Sequence, residues 1–201
     1  LKVRPLFVLA QCYEETNNYK KAIDNYKAVL KSHPNYDMEF YAKLKMAKLG
    51  RKSATDNAGV KTLLTKMARD GKYRDYYDQI FYELALISLQ ENDRAGARKF
   101  LHKSVDNSTT NDDQKALSYL KLAELDYEDE NYVSAKFFYD STLNFMAKND
   151  KRYPDLDLRD KMLGNLVTQL EIISREDSLQ KLAAMPKEEL DKYIKDAIAK
   201  K

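Results

Sequence analysis

Nucleophilic, general-base or zinc chemistry would have to be built from two histidines, His33 and His102, and one cysteine, Cys12. The three lie far apart, and no paired His or Cys spacing suits a metal. His33 precedes Pro34 at an expected helix end, where a cation complements the helix dipole. His102 lies among Lys99 and Lys103 and is expected to face solvent. Carboxylates cluster at Asp112-Asp113 and Glu128-Asp129-Glu130, in polar stretches that read as solvated turns rather than as an acid/base pair. The five glycines are scattered, so no Gly-rich loop is available to cradle a phosphate. The expectation is a chain with no catalytic residue, no cofactor and no metal site, and therefore not an enzyme.

Leu9-Ala10-Gln11-Cys12 has the outline of a bacterial lipoprotein cleavage box, but the apolar run before it is short and Gln11 stands where a small residue belongs. The better reading makes Cys12 a buried or half-buried thiol on a helix. One cysteine also excludes an internal disulfide. Lys and Arg number 35 against 32 Asp and Glu, a net charge of +3 spread evenly, so no basic stripe supports nucleic-acid binding. No apolar run approaches the ~18–20 residues of a membrane span, and direct membrane insertion is not expected. The 201 residues are 43% hydrophobic and 33% charged with only 5 Gly and 4 Pro, a profile suited to helices. The chain opens at Leu1, inside an expected helix, and reads as a piece of a longer protein.

The elements that would position these residues follow from a repeat. Leu6, Leu9, Ala10, Tyr13, Ala22, Tyr26, Val29 and Pro34 hold the types and spacing of one helix–turn–helix unit of ~34 residues. A shift of 113 residues carries Asn18-Tyr19, Ala22 and Tyr26 onto Asn131-Tyr132, Ala135 and Tyr139, and Leu9-Ala10 onto Leu122-Ala123. Phe81, Leu84, Ala85, Ala97 and Leu101 fill the same slots between them. The pattern resembles the tetratricopeptide repeat. It implies an all-α, tetratricopeptide-like right-handed α-solenoid of about four helix pairs with a C-terminal helical extension. The array would span residues 1–154, and residues 155–201 would form a long helix plus a terminal helix packed on it.

The second unit is degenerate. Asp37 to Leu49 reads as its first helix, stopped by Gly50; Ser53 to Asn57 reads as a turn; Val60, Leu63, Leu64 and Met67 restart a helical period that ends near Gly71. Tyr73, Tyr76 and Tyr77 either staple this unit to the next or form a contact patch. Most of the fifteen Tyr occupy repeat core or turn slots, so packing explains them better than a ligand does. Pro154 is expected to break the chain before a helix running to about Ala184, and Pro186 to open the last helix.

In tetratricopeptide arrays the first helix of each pair lines the concave face. The inward positions are then Arg4, Phe7, Gln11 and Glu14; Gln79, Tyr82, Leu86 and Leu89; and Leu117, Leu120, Glu124 and Tyr127. Phe7, Gln11, Tyr82, Leu86, Leu89, Leu120 and Tyr127 are the candidate partner-binding residues, and their character suits an apolar helix or extended peptide. Phe7 and Gln11 stand where chaperone-binding arrays carry Lys and Asn, so a carboxylate clamp is not expected. The long helix after Asp155 either leaves this groove open or fills it as a cap.

The tail adds a narrower resemblance. Asn165-Leu166-Val167, Leu170-Glu171-Ile172-Ile173, Glu176-Asp177-Ser178-Leu179-Gln180, Leu182-Ala183 and Met185-Pro186 are similar to the segment after the repeats in the gliding-motility and type IX secretion lipoproteins of Bacteroidetes, the SprE/PorW-like family. Asp78-Gln79-Ile80-Phe81-Tyr82 with Leu84-Ala85 is similar to its repeats. The resemblance implies a periplasmic, non-catalytic scaffold whose parent is anchored to the outer membrane and whose partners are subunits of the type IX secretion machinery. The family's lipidated Cys is not among these residues. Alternatives are a lipoprotein that assists outer-membrane β-barrel assembly, which shares the repeats but ends in different helices, and a cytoplasmic adaptor.

Overall fold

The computed structural model describes residues 3–52 and 57–199. The described residues hold ten α-helices, one 3-10 helix and no strand. Four antiparallel pairs follow one another: α1 (Val3–Glu15) with α2 (Tyr19–Lys31), α3 (Tyr36–Lys52) with α4 (Asn57–Arg69), α5 (Tyr77–Gln90) with α6 (Arg94–Asn107), and α7 (Asp112–Glu128) with α8 (Tyr132–Phe145). Then come α9 (Tyr153–Ala183) and α10 (Lys187–Ala199). Each helix packs mainly on its chain neighbours, the quasi-one-dimensional order of a solenoid. This is the all-α tetratricopeptide-like array expected from the repeat.

The turns inside pairs one, three and four share one construction. The first helix ends in a left-handed residue, Asn17, Asn92 or Glu130, with φ of 56°, 59° and 58°. The next residue, Asn18, Asp93 or Asn131, donates its N–H back to Tyr13, Ser88 or Asp126 at 2.8 Å, closing a Schellman turn. In two of the three that residue also caps the second helix through its side chain: Asn18 accepts from the Lys21 N–H and Asp93 from the Gly96 N–H. Two polar residues thus stop one helix and start the next. Asn111 caps α7 in the same way, accepting from the Gln114 N–H, while Asp112 and Asp113, expected in a solvated turn, lie in the first turn of α7.

The small residues of the repeat sit where helices come closest. Ala22, Ala97 and Ala135 are all 0% exposed, as are Tyr26 and Tyr139 beside the first and third of them. Alanine lets two backbones approach, and the aromatic ring fills the space next to it. Burial of each such ring removes it from water for roughly 1.5–3 kcal/mol. Phe40, Leu44, Ala47, Val60, Leu64 and Met67 make the equivalent core of pair two, joined by Ile80 and Leu84 of pair three.

Pair two departs from the sequence expectation in two ways. Gly50 does not stop α3, which continues to Lys52. A Cβ at Gly50 would lie 2.7 Å from Val60 Cγ2, so this glycine is there for close passage of α3 over α4. The expected turn at Ser53 to Asn57 falls largely on residues outside those described. The extra length lies in a 3-10 segment, Gly71–Tyr76, which staples pair two to pair three. Its Tyr76 ring stacks on Phe40 at 3.8 Å and its hydroxyl donates to Asp37 Oδ1 at 2.6 Å. Tyr73 is buried, and its hydroxyl lies 2.7 Å from both Glu39 Oε1 and Lys43 Nζ.

Pro154 begins a helix rather than breaking one: it lies in the first turn of α9, where its missing N–H costs nothing. The first half of α9 packs on α8. Leu163 joins Ala123, Ala135 and Tyr139 in a buried cluster, and Lys136 bridges Asp140 at 2.7 Å and Asp160 at 3.1 Å. Beyond it Leu170, Ile172, Ile173 and Leu179 are exposed.

Candidate interaction site

The inward positions of the first helices fall into two zones. In the first three pairs, ion pairs link the first helices through Glu14 and through Glu83, the neighbour of the inward Tyr82. Glu14 of α1 receives Lys45 of α3 at 3.1 Å and the Tyr26 hydroxyl at 3.1 Å. Glu83 of α5, 3% exposed, receives Lys48 at 3.4 Å and Arg51 at 3.3 Å from α3. Sequence reading missed Lys45, Lys48 and Arg51 because the degenerate pair hid their register. These pairs tie successive first helices together across the inner surface.

The candidate residues differ in how free they are. Phe7 is half-buried with its ring edge-on to Tyr26 at 5.3 Å. Gln11 is exposed. Tyr82, Leu86 and Leu89 of α5 are half-buried, and Tyr82 and Leu89 pack beside the Leu101–Leu122 cluster. Burial pushes the Tyr82 hydroxyl up to about 12, with Glu83 and Glu124 adding to the shift, so it remains a neutral donor. Leu120 is half-buried beside the Ala123–Tyr139 cluster, whereas Tyr127 is 43% exposed.

Tyr127 opens the second zone. It lies with Asp155, Leu158, Arg159, Met162, Leu163 and Leu166 of α9 around a groove of about 560 Å³. Arg159 stands 5.8 Å from the Tyr127 ring centre and donates to the Tyr139 hydroxyl at 3.2 Å, so it fixes one wall. Leu158 and Met162 are 60% and 64% exposed. α9 therefore does not fill the space in front of the first helices; it extends their row and adds an apolar wall. The groove can hold two or three apolar side chains of a helix or strand, with Asp155 and Arg159 at its polar edge.

Cys12 is exposed, not half-buried as expected from the sequence, because α1 packs on α2 and α3 and its other face carries the thiol. His33 and His102 are exposed, His33 in the left-handed region with φ of 50°. Among the described residues no group of three or more His, Cys, Asp or Glu could hold a metal ion, and no helix is long and apolar enough to cross a membrane.

A buried polar cluster was also invisible in the sequence. Asp78, 2% exposed, accepts from the Gln79 N–H and from Asn111 Nδ2, both at 2.8 Å. Ser104 donates to the Asp78 carbonyl at 2.6 Å and lies 2.8 Å from the Ser118 hydroxyl. Burial raises the Asp78 carboxyl above its ordinary range despite these donors. The signal lay in serines at apolar-periodic positions, which reads as a break in the stripe rather than as a network. Its role is to join α5, α6 and α7.

Residues 3–36 match the tetratricopeptide repeat family model. Among solved structures, the one titled "Crystal structure of MamA protein" is similar to this chain over 92% of its length and 96% of the other's, with a TM-score of 0.53 and 17% identity. That likeness is one of fold. A comparison with curated proteins finds no significant match.

Proposed function

We propose that the chain is a non-catalytic scaffold that binds an apolar helix or extended segment of a partner protein in the groove between Tyr127 and α9. Tetratricopeptide repeats point to a protein–protein interaction role, and folds of this type are typically non-catalytic. The observation that carries the choice of site is the exposure of Tyr127, Leu158 and Met162 around one groove of about 560 Å³. The tail resemblance supports a narrower reading: a periplasmic part of an outer-membrane lipoprotein serving type IX secretion and gliding motility, with partners among the subunits of that machinery.

The test joins both levels. Tyr127→Ala and Met162→Ala alter exposed side chains, so each variant is expected to fold. Truncating a binding anchor costs ~2 kcal/mol or more, on the order of a thirtyfold loss of affinity. Cross-linking of the parent protein in intact cells is expected to attach envelope secretion subunits, and both variants to weaken capture of the same subunits. Unchanged capture moves the site away from the groove. Capture of cytoplasmic proteins alone overturns the envelope reading and leaves the scaffold intact.

A further inference from the structure

Charge is even along the sequence but uneven across the fold. On α3 the cations Lys43, Lys45, Lys48 and Arg51 are all held by Glu39, Glu14 or Glu83. First helices of successive pairs pack on one another, which turns α2 and α4 to the outer surface. There Lys20, Lys27 and Lys31 of α2 and Lys66 and Arg69 of α4 are exposed, and among the described residues none of the five lies in an ion pair. Against them α2 carries one exposed acid, Asp24, and α4 carries none. Asp70, next after α4, is occupied in accepting from the Lys72 N–H.

Between these two helices runs a mainly apolar groove of about 320 Å³. Ile23 and Lys27 of α2 form one wall, Val60 and Leu63 of α4 the other, and Met46 of α3 lies in the floor. Ile23, Met46 and Leu63 are half-buried, so apolar surface stays open to solvent. Lys31 lies one turn beyond Lys27, and Lys66 and Arg69 lie one and two turns beyond Leu63. Cations therefore stand along both rims. α1 and α3 pack on α2, and α3 and α5 on α4, so the surface lies within the array.

The combination selects the occupant. A bilayer meets the lysines but does not fill a recess between helices. A nucleic acid offers phosphates but no apolar side chain. An acidic amphipathic helix supplies both parts. We propose that this outer groove docks an acidic amphipathic helix of a partner protein. One or two of its apolar side chains enter between Ile23 and Leu63, and its carboxylates meet Lys27, Lys31, Lys66 and Arg69. The surface is separate from the Tyr127 groove, so the array can hold two segments at once. The exposed cations speed association and are screened by salt, while the inserted side chains hold the complex.

The experiment is fluorescence anisotropy on the 201-residue chain with a labelled synthetic helix, Leu on one face and Glu on the other. Matched peptides carry Gln for every Glu, or Ala for every Leu. The expected result is binding that weakens with salt, falls roughly tenfold with the Gln peptide and on the order of thirtyfold with the Ala peptide. Lys27→Glu combined with Lys66→Glu, both at exposed positions, is expected to lose about tenfold, whereas Tyr127→Ala, which alters the other groove, binds as wild type does. No binding of the Leu/Glu peptide overturns the proposal. Equal binding of the Ala peptide also overturns it, because the face is then a charge field without a groove. Loss with Tyr127→Ala and none with the lysine variant seats the peptide in the other groove, which overturns this proposal and leaves the earlier reading standing. Phosphatidylglycerol vesicles and a single-stranded DNA oligonucleotide are run alongside. If either binds in a lysine-dependent way while the peptide does not, the face belongs to a lipid or a nucleic acid and the proposal falls. Should the lysine variant lose helicity, the Ala and Gln peptides on wild-type protein decide.

Discussion

Glu130 stands out among the individual residues. Three turns inside helix pairs demand a left-handed backbone, and two of them use Asn, at 17 and 92. The third uses Glu, with φ of 58°. The left-handed region costs an ordinary L-residue roughly 1–2 kcal/mol, and Asn much less because its short amide bonds locally. Glu130 is exposed, and among the described residues no ion pair of its side chain offsets the strain. Glu130→Asn is therefore expected to stabilise the chain by about 0.5–1 kcal/mol, read as a rise in the midpoint of urea unfolding at unchanged slope. A midpoint that does not move would mean the turn is already relaxed by the Schellman bond from Asn131.

Among the elements, the 3-10 segment is what makes pair two irregular, and Glu39 of α3 is where it is tied down. Its carboxylate accepts from Lys43 at 2.7 Å, from Lys72 at 2.5 Å and from the Tyr73 hydroxyl at 2.7 Å. These donors, Lys43 first, hold it down at about 2, below the ordinary 4.5. A depressed folded value means stability that is present above the ordinary value and lost as pH falls through the folded one. The melting temperature should therefore fall between pH 4.5 and about 2, and Glu39→Gln should flatten that part of the profile while lowering the plateau above it. A variant with the wild-type acid slope would assign the acid sensitivity to other carboxylates. Here too the limits of sequence reading are plain. The regular pairs were legible because Ala22 and Ala135 keep one spacing to Tyr26 and Tyr139, and Ala97 keeps the same spacing to Leu101. Pair two was only half legible: a glycine chosen for contact with Val60 looks like a helix stop, and a tyrosine-rich 3-10 turn has no apolar period. The groove was legible on one side only. Tyr127 followed from the repeat slot, but Leu158 and Met162 belong to a helix outside the period, so their place beside it depended on how α9 docks.

Across the whole molecule, the tail divides into a half that belongs to the array and a half that does not. Leu163 is 3% exposed and covers the cluster of Ala123, Ala135 and Tyr139, while Leu170, Ile173 and Leu179 are 38%, 55% and 48% exposed. In a solenoid each unit is supported by its neighbours alone, so removing an end acts on the adjoining pair and little beyond it. A chain ending at Val167 is expected to keep the melting temperature of the full chain, because the residues removed bury little. A chain ending at Arg152 uncovers the α7–α8 cluster and loses roughly 2–3 kcal/mol of burial from Leu163 alone. Hydrogen exchange should show that loss in α7 and α8, with α1 to α4 unchanged. Equal losses for both truncations would mean that the second half of α9 is covered in solution. The two shortened chains thus separate the part of the tail that holds the array together from the part that remains available to a second molecule.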